Sequence, residues 1–406
     1  MADRIGSAKT SGAPGGATEA PAGVGPGGLT ALLTGAMAFS MLQLFLLGAL
    51  GPRLVGELGV SPAVLGWTTT IGFGTAAVLS PLGGRLVDRI GPRRSLVLLL
   101  SVSAAALALI GAAPGTGFLL AAVALGGLPQ ALANPATNKA ILAAVPPGRR
   151  GPVTGMKQSG VQLGAFAAGL PLTALAAGIG WRGAMWTAAA TAALAALWAR
   201  RALPADPRTV PAGPRAPLVP RGAVAWLAVF SLFLGCGIAS VNTYLALFGA
   251  QRLGMGPTAA GALIAVLGVA GIAGRVGWSK AARPGRAEWL PGALAAGAVG
   301  ASVLLVAAPT VRPLVWVAAV AVGVFAVAAN AVSMVLVMQR STPGPAGRAG
   351  QDAALVAAGF FTGFAVGPLL FGPLANAGRY GTGWLLVAAE FGLACAVGLT
   401  WAVRGR

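Results

Sequence analysis

Gly84-Arg85-Leu86-Val87-Asp88-Arg89-Ile90-Gly91-Pro92-Arg93-Arg94 sets four arginines and an aspartate between two long apolar runs. Only 9% of the 406 residues are charged, so so dense a cluster is conspicuous. A weaker copy follows about 190 residues later, Gly274-Arg275-Val276-Gly277-Trp278-Ser279-Lys280 with Arg283 and Arg286 beyond it. A charged turn between hydrophobic segments, repeated at half a chain length, points to a duplicated membrane protein.

The composition agrees. Hydrophobic residues make up 56% of the chain and mean hydropathy is +0.81, whereas soluble proteins carry roughly 25% charged residues. The net charge of +20 lies in short clusters between apolar runs. It does not form a continuous basic face with interleaved aromatics, which argues against nucleic-acid binding. Histidine is absent, and Cys236 and Cys395 are the only cysteines. These counts exclude imidazole chemistry and give no disulfide framework or metal cluster. No cofactor is called for. Residues 1–28 are rich in Gly, Ala, Pro and Thr and read as a disordered tail rather than a signal peptide.

A membrane-crossing helix needs about 20 mostly apolar residues. Twelve candidates follow, with approximate limits 29–50, 62–82, 95–112, 117–141, 158–177, 182–199, 223–248, 257–275, 289–308, 313–337, 353–374 and 383–403. With the N-terminus in the cytoplasm, the inner connections and tails hold 22 of the 28 basic residues and the outer connections only 5. The remaining one, Lys139, falls within span four. Lys/Arg bias sets orientation, so both termini are expected inside. A miscounted helix would have flipped every later loop and spoiled this asymmetry. Residues 202–222, rich in proline, read as a linker between an N-terminal bundle, 29–201, and a C-terminal one, 223–406.

The duplication extends past the opening segment. Asn134 has a counterpart in Asn330, and Trp181 in Trp384. Gly160-x3-Gly164-x4-Gly169-x-Pro171 resembles Gly359-x3-Gly363-x3-Gly367-Pro368. Repeated halves are characteristic of secondary transporters.

With these features the chain resembles the major facilitator superfamily over residues 29–403, through Gly84, Leu86, Asp88, Arg89, Gly91, Arg93 and Arg94. The resemblance implies an all-α fold of two pseudo-symmetric six-helix bundles that alternate access to a central pathway. It also implies that the aspartate helps lock the cytoplasmic side. Physically, Gly84 can admit a neighbouring helix and Gly91 a turn that other residues resist. Asp88 can accept hydrogen bonds from nearby arginines or from the start of span eleven near Gln351-Asp352. Arg89, Arg93 and Arg94 either join this gate or only enforce topology. Two departures weaken a drug/proton antiporter reading: no basic residue lies between Leu119 and Ala133 of span four, and the span-five glycine-proline pattern is partial.

In the family fold, spans one, four, seven and ten line the pathway. Here each carries an amide: Gln43, Asn134, Asn242 and Asn330, with Gln130 and Tyr244 close by. They are candidates for substrate contact; the alternative is hydrogen bonding between helices, or repair of the backbone near Pro135. Lys139 and Glu390 are ionisable residues within spans, while Lys157 and Gln158 stand at the inner mouth of span five. These four are candidates for proton coupling or contact with an anion. Lys139 can instead snorkel or pair with another segment, and Glu390, on a peripheral span, can be structural. The expected protein is a monomeric plasma-membrane transporter, its partners the bilayer, a small neutral or anionic solute and a candidate coupling proton. A drug exporter is the alternative; a sensor or a membrane enzyme fits less well.

Overall fold

The computed structural model describes residues 26–206, 222–281, 288–340 and 348–404; these are helical apart from short turns, with no strand among them. Span one is Pro26–Ala49, span two Pro62–Ile90 and span three Pro92–Ala112. Span four joins Thr116–Leu125 to Gly127–Ala144 across a break at Gly126. Span five runs from Arg150–Ala167 through a π turn at Ala168–Leu172 into Thr173–Ala202. That last helix bends at Gly180 (φ 76°, ψ 164°), and span six begins there. Span seven is Ala223–Leu253, span eight Pro257–Ala281 and span nine Leu290–Ala307. Span ten comprises Leu314–Val322, a π turn at Gly323–Val327 and Ala328–Arg340. Spans eleven and twelve are Arg348–Asn376 and Tyr380–Arg404.

Eleven of the described stretches are long and apolar enough to cross a membrane, and one of them, Pro147–Ala202, has 56 residues. Its turn at Gly180 makes it two crossings, which gives the twelve that hydropathy predicts. Among the outward-facing side chains are Val78, Leu82, Leu194 and Leu385. In a bilayer such a surface faces lipid.

Several boundaries move. Helix one starts at Pro26, inside the stretch read as tail. Most of that stretch, most of the linker, and Arg283 and Arg286 lie outside the described residues. The charged segment is not a loop: Gly84 to Ile90 continue span two, and Gly91 alone makes the turn before span three. Apolarity marks where a helix can sit in lipid, so hydropathy ends it at the first arginine. Backbone hydrogen bonding carries it about two turns further.

Packing reveals the internal symmetry. Within the first bundle, span one packs on five, two on four, and three on six; within the second, seven packs on eleven, eight on ten, and nine on twelve. Between bundles, two meets eleven and five meets eight, with span one against seven at the axis. Exchanging the halves converts each pairing into another.

The repeated glycines explain how the first of these pairs approach so closely. A Cβ on Gly160 or Gly164 would strike the carbonyl of Thr34 or Ala38 on span one. On span eleven, Gly359, Gly363 and Gly367 lie in the same way against the carbonyls of Ala228, Leu232 and Cys236 on span seven. In lipid no water competes for such contacts, and small residues let backbones approach. Gly363→Ala should therefore lower the thermal stability of the detergent-purified protein by about 1–3 kcal/mol through overpacking. Gly392→Ala, where a Cβ meets nothing within 4 Å, should leave the melting temperature unchanged or raise it.

Candidate functional site

The charged turn is built around Gly91, whose φ of 86° and ψ of 165° suit a residue without a Cβ. A second constraint acts there: any Cβ would collide with the carboxylate of Asp206. That carboxylate, at the start of the linker, accepts from the free backbone N–H groups of Arg93 and Arg94, each at 2.9 Å. It thus caps span three as an N-terminal acid does, though it arrives from beyond span six. The Arg93 guanidinium donates to the carbonyl of Arg200 at the end of span six. Arg89 and Arg94 have exposed side chains.

Two expectations for the motif are corrected. A Cβ on Gly84 would meet nothing within 4 Å; the tight approach belongs to Gly83, against the carbonyl of Ala131 on span four. By packing, Gly83 is the partner of Gly274, which rests on Val324 in the π turn of span ten. In this conformation Asp88 takes its charged partner from Lys139 rather than from an arginine: Lys139 Nζ lies 2.8 Å from Asp88 Oδ1 and also reaches the carbonyls of Val87 and Asp88. Lys139 is therefore committed to the motif of its own bundle. Its long stem lets an ammonium on span four reach the end of span two.

Among the described residues, the contacts joining the bundles concentrate at the end away from this motif. Thr69 and Thr243 share a hydrogen bond of 2.9 Å, and Thr70 Oγ1 donates to the carbonyl of Ala365 at 2.7 Å. Gly48 sits on the carbonyl of Asn242, Gly169 on Gly261 and Ala265, and Gly372 on Ala63. Midway down, Phe73 packs on Phe361 and Phe364, and Gln162 faces Gly271. The structure is closed at the end away from Gly91.

The amides fall into two groups relative to that closure. Gln43 Nε2 donates to the carbonyl of Val123, just before the break at Gly126, and Gln130 stands one turn beyond it. Both line a small cavity, with room for about one water molecule, together with Leu44, Leu47, Thr68, Thr69, Gly72 and Phe73. Asn242 donates to Ile238 within its own helix at 2.8 Å. Tyr244 is fully buried at the closure, donating to the carbonyl of Pro368 and stacking on Phe371 with centroids 4.5 Å apart. Nearer the motif, Asn134 Oδ1 accepts from Gln158 Nε2 at 3.3 Å. Lys157, at 0% exposure, donates to Thr137 Oγ1 at 2.7 Å and Asn138 Oδ1 at 2.5 Å. No carboxylate lies within 4.0 Å of it among the described residues. Asn330 is half-buried, its Oδ1 without a hydrogen-bond partner among the described residues.

Glu390 stands apart from this set. It is buried on span twelve, both carboxyl oxygens lack a partner among the described residues, and the adjoining Phe391 packs on Gly237 of span seven. No group of three or more potential metal ligands occurs among the described residues.

Twelve crossings in two exchangeable halves, with the charged turn after span two, define the architecture. A family model described as "Major Facilitator Superfamily" matches residues 32–351, well over half the chain. The chain belongs to the major facilitator superfamily. It is thus a multi-pass membrane transporter by family. Solved structures share the fold. A bacterial homologue of the human lysosomal transporter Spinster, inward-facing and occupied, superposes with a TM-score of 0.73 at 18% identity, covering 93% of this chain and 96% of its own. A mutant of the nucleoside transporter NupG gives 0.73 at 14% identity, covering 92% and 99%. No curated protein sequence matches the chain significantly.

Sequence reasoning missed Asp206, Gln162, and the Thr69–Thr243 contact. Asp206 carried a signal, being one of only 8 acids in the chain and lying just past a span end. The threonines carried none. If Asp88 and Lys139 hold each other, reversing the pair as Asp88→Lys with Lys139→Asp should recover part of what either single reversal loses. The expected coupling is about 0.2–1 kcal/mol for a pair this exposed, read from melting temperatures in a double-mutant cycle.

Proposed function

We propose that this family member is a secondary transporter. It moves a small organic solute, neutral or anionic, across the plasma membrane by rocking one bundle against the other. The observation that carries this reading is the one-sided closure: among the described residues the cross-bundle contacts cluster away from Gly91, which supports bundles that meet at one end and part at the other. The 22-to-5 bias of basic residues supports a cytoplasmic motif end and cytoplasmic termini, which makes this conformation inward-facing. The substrate is read as meeting Asn134 and Asn330, with Gln43 and Gln130 enclosed in the first bundle behind Thr69. Asn242 and Tyr244 shape the outer closure above them. Binding that favours one arrangement of the bundles over the other supplies the differential affinity alternation requires.

Asp88 is read as the gate. Its contact with Lys139 holds the motif within its own bundle while the cytoplasmic end is open, and release frees the carboxylate to meet the opposite bundle when that end closes. A proton-linked exporter is a second reading, favoured by one observation: Glu390 places a carboxyl group without a partner among the described residues inside the second bundle.

Flux into proteoliposomes from a solute library identified by thermal shift tests the proposal; no transport of any stabilising solute would overturn it. Asp88→Asn should cut uptake about tenfold or more while leaving membrane expression and melting temperature nearly unchanged. Uptake equal to the parent would remove the gating role. Flux independent of pH between 5.5 and 8 would exclude obligatory proton coupling and with it the second reading.

A further inference from the structure

Spans three and six lie side by side in the first bundle and are bonded at both extremities. Beside Gly91, the Arg93 guanidinium donates to the carbonyl of Arg200. At the opposite end Arg182 donates to the carbonyl of Gly111 at 2.8 Å and Trp186 to that of Ala108 at 3.3 Å. Each helix buries one face and turns another outward. On span six Ala188, Ala192, Ala196 and Ala199 are buried, while Leu194, Leu197 and Trp198 are exposed. Arg201 is exposed as well and follows Leu197 at i+4 and Leu194 at i+7, so it heads the same stripe. On span three, Arg94, Ser101, Ala105 and Leu109 are exposed at helical spacing and make a second stripe headed by arginine. From Arg94 to Ala105, or from Arg201 back to Ala190, is about 16 Å of helix, close to half the thickness of a hydrocarbon core.

The acids of this region are already engaged. Asp88 holds Lys139 at 2.8 Å, and the two oxygens of Asp206 accept from the backbone N–H groups of Arg93 and Arg94. Among the described residues no carboxylate lies within 4.0 Å of Arg94, Arg200 or Arg201. Asp206 offsets part of their charge and leaves the patch cationic. Orienting the chain in the membrane accounts for basic residues at this end. It does not require that two of them stand at the heads of adjoining outward-facing stripes. Nor does it require the exposed indole of Trp198 one turn below Arg201, the side chain that favours the boundary between hydrocarbon and headgroups.

The geometry points to a binding site for an anionic phospholipid on the outer face of spans three and six, its phosphate held by Arg94 and Arg201 and its acyl chains lying along the stripes beneath. A guanidinium offers a planar fork of donors to phosphate oxygens, and basic sites between membrane helices take anionic headgroups in this way. Arg200 adds its charge beside them. A zwitterionic headgroup brings its own cation against the arginines and forfeits most of the attraction. A soluble phosphate ester has no chains to cover the apolar stripes. The bound lipid bridges the start of span three to the end of span six, next to the bond from Arg93 to Arg200. This site rests on the family's place in the membrane and is independent of the transport reading.

The purified full chain in a neutral detergent is given phosphatidylglycerol, phosphatidylcholine with the same acyl chains, or glycerol 3-phosphate, and its melting temperature is followed. Phosphatidylglycerol should raise it by several degrees, and the other two by less than half as much. The rise should fall by half or more in the double variant Arg94→Gln with Arg201→Gln. It should persist in Arg149→Gln with Arg312→Gln, which removes as many exposed arginines elsewhere. Native mass spectra of the unmutated chain depend on no variant's folding, and they should retain phosphatidylglycerol in preference to phosphatidylcholine. Equal shifts with the two lipids, or with glycerol 3-phosphate, overturn the inference. So does a shift that survives in the first double variant, a shift lost as fully in the second, or a mass spectrum without preferential retention.

Discussion

Backbone resting on backbone is the contact on which this molecule depends. Inside a bilayer the helices have no apolar collapse to drive them together, since lipid is as apolar as leucine. They must instead come close enough for dispersion and weak polar contacts to act along the whole seam. Gly160 and Gly164 against span one, and Gly359, Gly363 and Gly367 against span seven, supply that closeness once in each bundle. Everything else, including the position of the amides and of the charged turn, is measured from those two seams.

Much of this was open to sequence reading for a definite reason. Hydropathy and charge bias depend on the solvent around each segment, and they place twelve crossings without any tertiary knowledge. The glycine repeat also survives translation into contacts, because a missing Cβ has the same meaning wherever helices cross. What escaped was anything decided by reach. Lys139 looked like a lone cation in a span, and only the fold shows that its stem extends to Asp88. Gly84 matched the motif, yet the packing position is Gly83; a one-residue shift turns a helix face by 100° and leaves no trace in composition. The amides Gln43, Gln130, Asn134 and Asn242 were visible as types. Which of them spend their hydrogen bonds on the protein, as Asn242 does on Ile238, was not.

Asp206 illustrates how a duplicated fold acquires asymmetry. The turn at Gly91 is fastened to the far end of its own bundle by a carboxylate from after span six. The first bundle's helix ends are thus tied to one another at the place where the chain leaves for the second. The turn between spans two and three is thereby joined to the end of span six.

The seam away from Gly91 is made of threonine hydroxyls, backbone carbonyls, glycines and phenylalanines. No ion pair joins the bundles there among the described residues. Parting the seam therefore breaks no ion pair among the described residues, and salt on that side has no cross-bundle pair to screen.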